Sequence, residues 1–382
     1  MIGAEKKEVK ARLVQPNAAA LEECGKRIRE GKLVAFPTET VYGLGADATN
    51  EEAVKSIFAA KERPFTDPVI VHIADLDMVD KIIKTEKEKT FIKEVGKVLW
   101  PGPLTMIGPV NDEFIPRMVG SNTGSIGVRY PNHPIAQALI RAAKTPIAAP
   151  SANKFMHVSP TKGSHVFDDL KYEDVVILDG EMSDLGVEST VVHVEWVETH
   201  YRVTLLRTGT FDFEDIKHKV LSLPQFSSTE FTIRKRQTNT EKDTSVAPGQ
   251  LLKHYSPYVL TFLASPIEHV TPDYTLQEYD VDTIGVIDFG RHNVALKSLA
   301  KHYVDLDEEG DYKRAMQRLY DELRRAETIP GLKALLLVNL SRILGERELS
   351  LNPLADKTFR SAAGAELFYT PDLKIYTSPN KK

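Results

Sequence analysis

The sequence predicts an α/β protein organised as two domains, and three observations carry that prediction. Short apolar runs that end in proline or a polar loop alternate with segments of helical period along most of the chain. The chain has 382 residues, 42% of them apolar and 27% charged, which suffices for a full core in each of two domains and excludes wholesale disorder. Between about Ser222 and Tyr258 the composition shifts to Ser, Thr, Gln, Lys and Arg with little periodicity, so a linker separates the two parts.

Taken in order, Asn17 caps a helix through Glu30 and Gly31 stops it. LVAFP (Leu33 to Pro37) reads as a buried strand running into a loop. Asn50 caps a helix through Ala60, the polar loop KERPFTDP follows, and VIVHI (Val69 to Ile73) is a second strand. IGVRY (Ile126 to Tyr130), a helix after His133, PIAAP (Pro146 to Pro150), VVILD (Val175 to Asp179), STVVHV (Ser189 to Val194) and VTLLR (Val203 to Arg207) continue the alternation. The first domain is thus expected over 12–210, a linker over 211–257 and a second α/β domain over 258–382. In the second, TIGVIDF (Thr283 to Phe289) and KALLLVNL (Lys333 to Leu340) read as strands of a parallel sheet. Tyr312, Ala315, Met316, Leu319, Tyr320 and Leu323 form the buried stripe of the helix between them.

Lys and Arg number 49 against 54 Asp and Glu, a net charge of −5, so no whole-chain cationic field binds nucleic acid or anionic lipid. Any anion must meet a local basic cluster. The single cysteine, Cys24, forms no internal disulfide and reads as a buried apolar thiol. No apolar run approaches the roughly 18 residues that cross a bilayer, and MIGAEKKEVKARL has no signal-peptide core, so the expectation is a cytoplasmic protein without membrane contact. Gly43-Leu44-Gly45 matches a relaxed dinucleotide fingerprint, but PTETVY separates it from the preceding strand, and the glycine pair reads as turn geometry. Walker spacing, histidine pairs at helical spacing, cysteine pairs and the G-x-S-x-G elbow do not occur.

Lys61-Glu62-Arg63-Pro64 closes a helix, where cations by themselves complement the helix dipole. Other groups change its meaning. Thr38, Glu39 and Thr40 follow one strand, Arg129 ends another, Ser151-Ala152-Asn153 follows a third, Ser189 opens a fourth and Arg207 ends a fifth. Hydroxyl, amide and guanidinium groups at strand ends suit a phosphorylated or carboxylated small molecule.

FPTETVYGLGADA, AAKERPFTDPVIVHI, LWPGPLT, GVRYPNHPIA, APSAN with HVSPT, GVESTVV and LLRTG, in that order, resemble the YrdC-like domain of threonylcarbamoyl-AMP synthases over residues of about 13 to 210. With APGQLLKHYSP and the further α/β domain, the chain resembles the long form of that family. The resemblance implies a twisted mixed-sheet YrdC-like domain with helices, followed by a smaller Rossmann-like domain. It also implies synthesis of threonylcarbamoyl-adenylate and pyrophosphate from L-threonine, bicarbonate and ATP with Mg2+, the product feeding the machinery that modifies an adenosine beside the tRNA anticodon. Direct tRNA contact is a further possibility within that reading. Carried over by motif, Thr40, His72, Arg129, Ala149 and Ser189 would hold threonine. Lys61 and Arg63 would meet the phosphates as catalytic cations. Asp67, Ser125, Ser151, Asn153, Ser159, Arg207 and Tyr255, with Arg63, would complete the ATP site, and no metal ligand is assigned.

The chain departs from the family at Asp67, usually Asn, at Met156, where glycine is common, and at Thr208, usually proline. Gln250-Leu251-Leu252 replaces a more usual Met-Lys-Tyr. In APGQLLKHYSP, Pro248-Gly249 is expected as a hinge and Tyr255 as the contact of a lid over the nucleotide. Two competing readings are a non-catalytic double-stranded RNA or tRNA binder, using the run Arg234-Lys235-Arg236, and a carbamoyl-transfer domain of the hydrogenase-maturation type, whose companion segments are missing.

Overall fold

The computed structural model describes residues 8–234, 243–267, 274–277, 283–298, 300–372 and 374–377. They fall into two compact units, one holding the chain to Phe155, Ser159 onward to 234, and 243 to Gln250, the other holding Met156–Val158 and Leu251 onward.

The first unit contains β1 (Arg12–Val14), α1 (Ala18–Arg29), β2 (Leu33–Phe36), β3 (Gly43–Asp47), α2 (Glu51–Lys61), β4 (Val71–His72), α3 (Val79–Ile82), α4 (Glu86–Leu99), β5 (Leu104–Pro109) and β6 (Ser125–Arg129). It continues with α5 (Pro134–Ala143), β7 (Ile147–Ala148), α6 (Gly163–Leu170), β8 (Val175–Leu178), β9 (Thr190–Val197), β10 (His200–Arg207), α7 (Phe213–Leu221) and β11 (Glu230–Ile233). The strands form one mixed sheet in the order β1-β8-β2-β3-β7-β4-β6-β5-β9-β10-β11. Asn17 Oδ1 accepts from Ala20 N at 2.9 Å, as expected of the α1 cap, and Gly31 ends the helix at φ +76°. Cys24 and Ile28 of α1 pack with Leu139 and Ile140 of α5 against Val34, Phe36, Ile147 and Leu178 of the sheet. Burial pushes the Cys24 thiol up to about 11, so it is an inert core group.

The structure departs from the sequence reading in three places. Gly43 and Gly45 lie within β3 rather than in a turn. A Cβ on Gly45 would come 2.7 Å from Ile147 Cγ2 and 2.8 Å from the Phe36 ring, so the glycines let neighbouring side chains close over the strand. The run VIVHI shortens to the two residues of β4, while the strands expected to open at Ser189 and Val203 lengthen into β9 and β10. The third difference lies at the expected linker. β11 pairs in parallel with β10, Phe231 packs on Phe213 of α7 at 5.9 Å, and both elements belong to the first unit, which therefore runs past residue 210. Its polar composition is that of a half-exposed edge strand. Residues 243–250 join it too: Ala247 is fully buried with Ile107 and Val191, and Ser245 N donates to Thr66 O at 3.0 Å. Lys235 and Arg236 of the basic run lie outside the described residues.

The second unit contains β12 (Leu260–Pro266), β13 (Thr275–Gln277), β14 (Ile284–Asp288), β15 (His302–Asp305), α8 (Tyr312–Glu327), β16 (Ala334–Val338), α9 (Glu346–Leu351), α10 (Pro353–Ser361), β17 (Glu366–Tyr369) and β18 (Ile375–Thr377). Parallel strands β17-β12-β16-β14-β15 form the Rossmann-like body, and the antiparallel strands β18 and β13 extend its β17 edge. Asp311 caps α8, whose Ala315, Met316, Leu319, Tyr320 and Leu323 are buried as the stripe predicts, while Tyr312 is half-buried against Phe289. Among the described residues no helix is long and apolar enough to cross a membrane.

Candidate active site

Strand order brings the ends of β2, β6, β9 and β10 and the loops after α2 and β7 into one unit, and their polar side chains are nearly all buried. Arg129, at the end of β6, pairs in register with His72 of β4. Its Nη1 donates to Thr40 Oγ1 at 2.9 Å and its Nη2 lies 2.8 Å from Glu39 Oε2. Thr40 Oγ1 is 2.9 Å from Thr38 Oγ1, which donates to Val41 O at 2.6 Å, so the proton order runs from Arg129 through Thr40 and Thr38 to a backbone carbonyl. Such a chain fixes the guanidinium plane. Burial, and after it the Arg129 charge, pushes His72 down to about 3, so its imidazole is neutral and Arg129 carries the local positive charge. Ala149, after β7, donates its N–H to Ile70 O at 2.9 Å, next to this strand pair.

Ser189, just before β9, is held from two sides. Its Oγ lies 2.8 Å from Thr105 Oγ1 of β5, and Arg207 Nη2 donates to the same Oγ at 3.0 Å and to Ser189 O at 2.9 Å. Arg207 Nη1 reaches Pro248 O at 3.2 Å, which docks the expected hinge residue on the first unit.

The cations at the end of α2 are not solvated helix-end decoration. Lys61 is 1% exposed and its Nζ donates to Ser151 O at 2.6 Å and to Asn153 O. Burial, then the neighbouring Arg63, pushes its pKa well down. Arg63 donates Nε to Asp67 O at 3.2 Å and Nη2 to Pro68 O at 2.8 Å, and Nη2 also lies 2.9 Å from Asp67 Oδ2. Asp67 is therefore buried and paired. Burial raises its pKa, and the charges of Arg63, Lys61 and Arg207 oppose that rise, which puts the three cations within electrostatic reach of Asp67.

Other expected residues are placed less uniformly. Asn153 is buried and donates Nδ2 to Lys154 O at 2.7 Å, Ser151 is half-buried, and Ser159 donates Oγ to Glu188 Oε1 at 2.7 Å. Ser125 sits at the opposite end of β6 from Arg129, paired with Pro109. Tyr255 belongs to the second unit. There its ring is 1% exposed, stacks 5.4 Å from Tyr320 and lies 4.8 Å below Lys357 Nζ, with φ at +58° and Ser361 Oγ donating to its carbonyl. Met156 has φ +65°, the left-handed region that accounts for glycine being common at this position. Thr105 and Glu188 were missed by the sequence reading. Thr105 is a lone hydroxyl in the apolar run of β5, and Glu188 is the acid of GVEST. A cavity of about 370 Å³ lined by Thr49, Asp75, Met78, Phe114 and Lys144 contains none of the expected site residues. Among the described residues no group of three or more His, Cys, Asp or Glu could hold a metal ion.

Comparison with known proteins gives the family and fold to which the chain is similar. A family model described as "Telomere recombination", covering the Sua5, YciO and YrdC proteins, matches residues 26–209, and one described as "Threonylcarbamoyl-AMP synthase, C-terminal domain" matches 212–352. A curated threonylcarbamoyl-AMP synthase of Pyrococcus abyssi is 43% identical over 230 residues, 60% of this chain and 63% of that protein. One of Bacillus subtilis is 36% identical over 262 residues, 68% of this chain and 71% of its own length. The crystal structure of P. abyssi Sua5 complexed with L-threonine superposes with a TM-score of 0.73 at 30% identity, covering 94% of this chain and 98% of that one.

Proposed function

The chain belongs to the threonylcarbamoyl-AMP synthase family, and we propose that it condenses L-threonine, bicarbonate and ATP into threonylcarbamoyl-adenylate and pyrophosphate. The observation that carries this reading is a pair of buried polar sets in one unit, Arg129 bonded to Thr40, and Lys61, Arg63 and Arg207 around Asp67, with Arg207 also bonded to Ser189. The first suits an amino-acid carboxylate and hydroxyl, the second a polyphosphate.

The chemistry requires little beyond positioning and charge neutralisation. Threonine's neutral amine attacks the carbon of bicarbonate and water leaves, giving the N-carboxylate, and an oxygen of that carbamate then attacks the α-phosphorus of ATP as pyrophosphate leaves. Arg129, its plane set by the hydroxyl chain, would fork the threonine carboxylate, with His72 as a neutral hydrogen-bonding partner and the Ala149 backbone and Ser189 beside it. Lys61, Arg63 and Arg207 would offset the charge that builds on the phosphoryl oxygens. Ser151, Asn153 and Ser159 supply polar groups around the same loop, while Ser125 and Tyr255 rest on the resemblance alone.

Of the carboxylates near the proposed phosphate site, Asp67 is tied to Arg63. Mg2+ is therefore proposed as a companion of the ATP phosphates rather than a resident ion. The product would pass to the tRNA threonylcarbamoyl-transfer machinery in the cytoplasm. The test is mass-spectrometric detection of threonylcarbamoyl-adenylate with matched pyrophosphate, dependent on both threonine and bicarbonate. Pyrophosphate release without the adenylate would overturn the reading.

A further inference from the structure

Glu39 is a buried charge for which the roles above have no use. Its side chain and that of Arg129 are each 5% exposed, and Glu39 Oε2 lies 2.8 Å from Arg129 Nη2. The pair is incomplete on both sides: Glu39 Oε1 and Arg129 Nε are buried without a hydrogen-bond partner. A buried carboxylate oxygen and a buried guanidinium N–H left open in one ion pair are each costly, and both costs are relieved by a ligand with the inverse charge pattern. An α-amino acid zwitterion is such a ligand, because its ammonium and carboxylate are separated by a single carbon and can lie antiparallel along a Glu–Arg pair.

We propose that Glu39 binds the α-ammonium of the amino-acid substrate, so that Glu39 and Arg129 together select a zwitterion. The inference rests on the reading that Arg129 takes threonine's carboxylate. Neighbouring groups do not duplicate the role. His72 is neutral, and Thr40 and Thr38 are committed to the chain that ends on Val41 O. With its ammonium on Glu39, the substrate nitrogen that must acquire carbon is anchored at a fixed point, and acids without an amine are rejected because they would face an uncompensated buried carboxylate.

Calorimetric titration of the full chain with L-threonine, L-threoninol (ammonium without carboxylate) and 3-hydroxybutyrate (carboxylate without ammonium) tests this, with ATP as the control. Glu39→Gln should weaken threonine and threoninol by roughly 10- to 100-fold, the range of one charge-assisted hydrogen bond, while 3-hydroxybutyrate binds as before or tighter and ATP is unaffected. Glu39→Asp, which keeps the charge, should lose less than Glu39→Gln. The unmodified protein gives an arm that needs no variant: it should prefer threonine to 3-hydroxybutyrate by at least roughly 10-fold on the same reasoning. Equal losses for threonine and 3-hydroxybutyrate in Glu39→Gln would make Glu39 a mere support of Arg129 and overturn the assignment, as would equal affinities in the unmodified protein. Failure of the unmodified protein to bind threonine at all would instead overturn the function reading itself, and the assignment with it.

Discussion

His72→Asn should remove a specific component of acid sensitivity. The imidazole is fully buried beside Arg129, and its pKa falls from 6.5 to about 3. Below 6.5 the unfolded chain takes up a proton that the folded chain refuses. The stability tied to this group is therefore complete above about 6.5 and drains away as the pH falls toward about 3. Over the whole window the shift corresponds to about 5 kcal/mol, and between pH 7 and pH 5 to about 2 kcal/mol. Both tryptophans, Trp100 and Trp196, lie in the first unit, so their fluorescence during urea unfolding follows the unit that holds His72. The unmodified chain should lose about 2 kcal/mol more than His72→Asn on going from pH 7 to pH 5. His133 and His193, also pushed down by burial, are common to both proteins and cancel. An identical pH decrement in the two would refute the reasoning, because it would mean that His72 is free to protonate beside Arg129.

Lys61→Ala and Arg63→Ala should each slow adenylate synthesis by about two to three orders of magnitude, read as pyrophosphate release, since each removes a buried cation proposed to meet the phosphates. Arg129→Lys should weaken threonine far more than ATP in separate calorimetric titrations, because an ammonium cannot replace a planar fork whose other arm is held by Thr40. Asp67→Asn leaves Arg63 its two backbone carbonyls while removing the charge that neutralises it, so ATP should bind roughly 10-fold more tightly at low Mg2+, measured by calorimetry across a Mg2+ series. A chain cut after residue 215 should lose the cooperative unfolding of the first unit, because the cut removes most of α7 together with β11 and the buried Ala247; circular dichroism melts compare it with the full chain.

Much of the architecture follows from local chemistry, and the sequence carried it. The Asn17 and Asn50 caps, the Gly31 stop and the α8 stripe depend on neighbours within a turn or two, so periodicity and capping residues suffice to place them. The seven ordered motifs also determined the family. The glycines of β3 and the polar edge strand β11 were misread, because their meaning lies in partners more than a hundred residues away for Gly45, at Ile147, and across a strand pairing for β11. The site divides the same way. Residue types at strand ends announced an anion site, but Lys61 reads equally well as an exposed helix end until its Nζ is found turned inward onto Ser151 O. Asp67 could have faced the triphosphate or solvent, and only the fold pairs it with Arg63. Burial and the pairing of charges decide pKa and binding role, and both are properties of what surrounds a side chain in space. That is why the tertiary structure alone could make His72 neutral and leave Glu39 open beside Arg129.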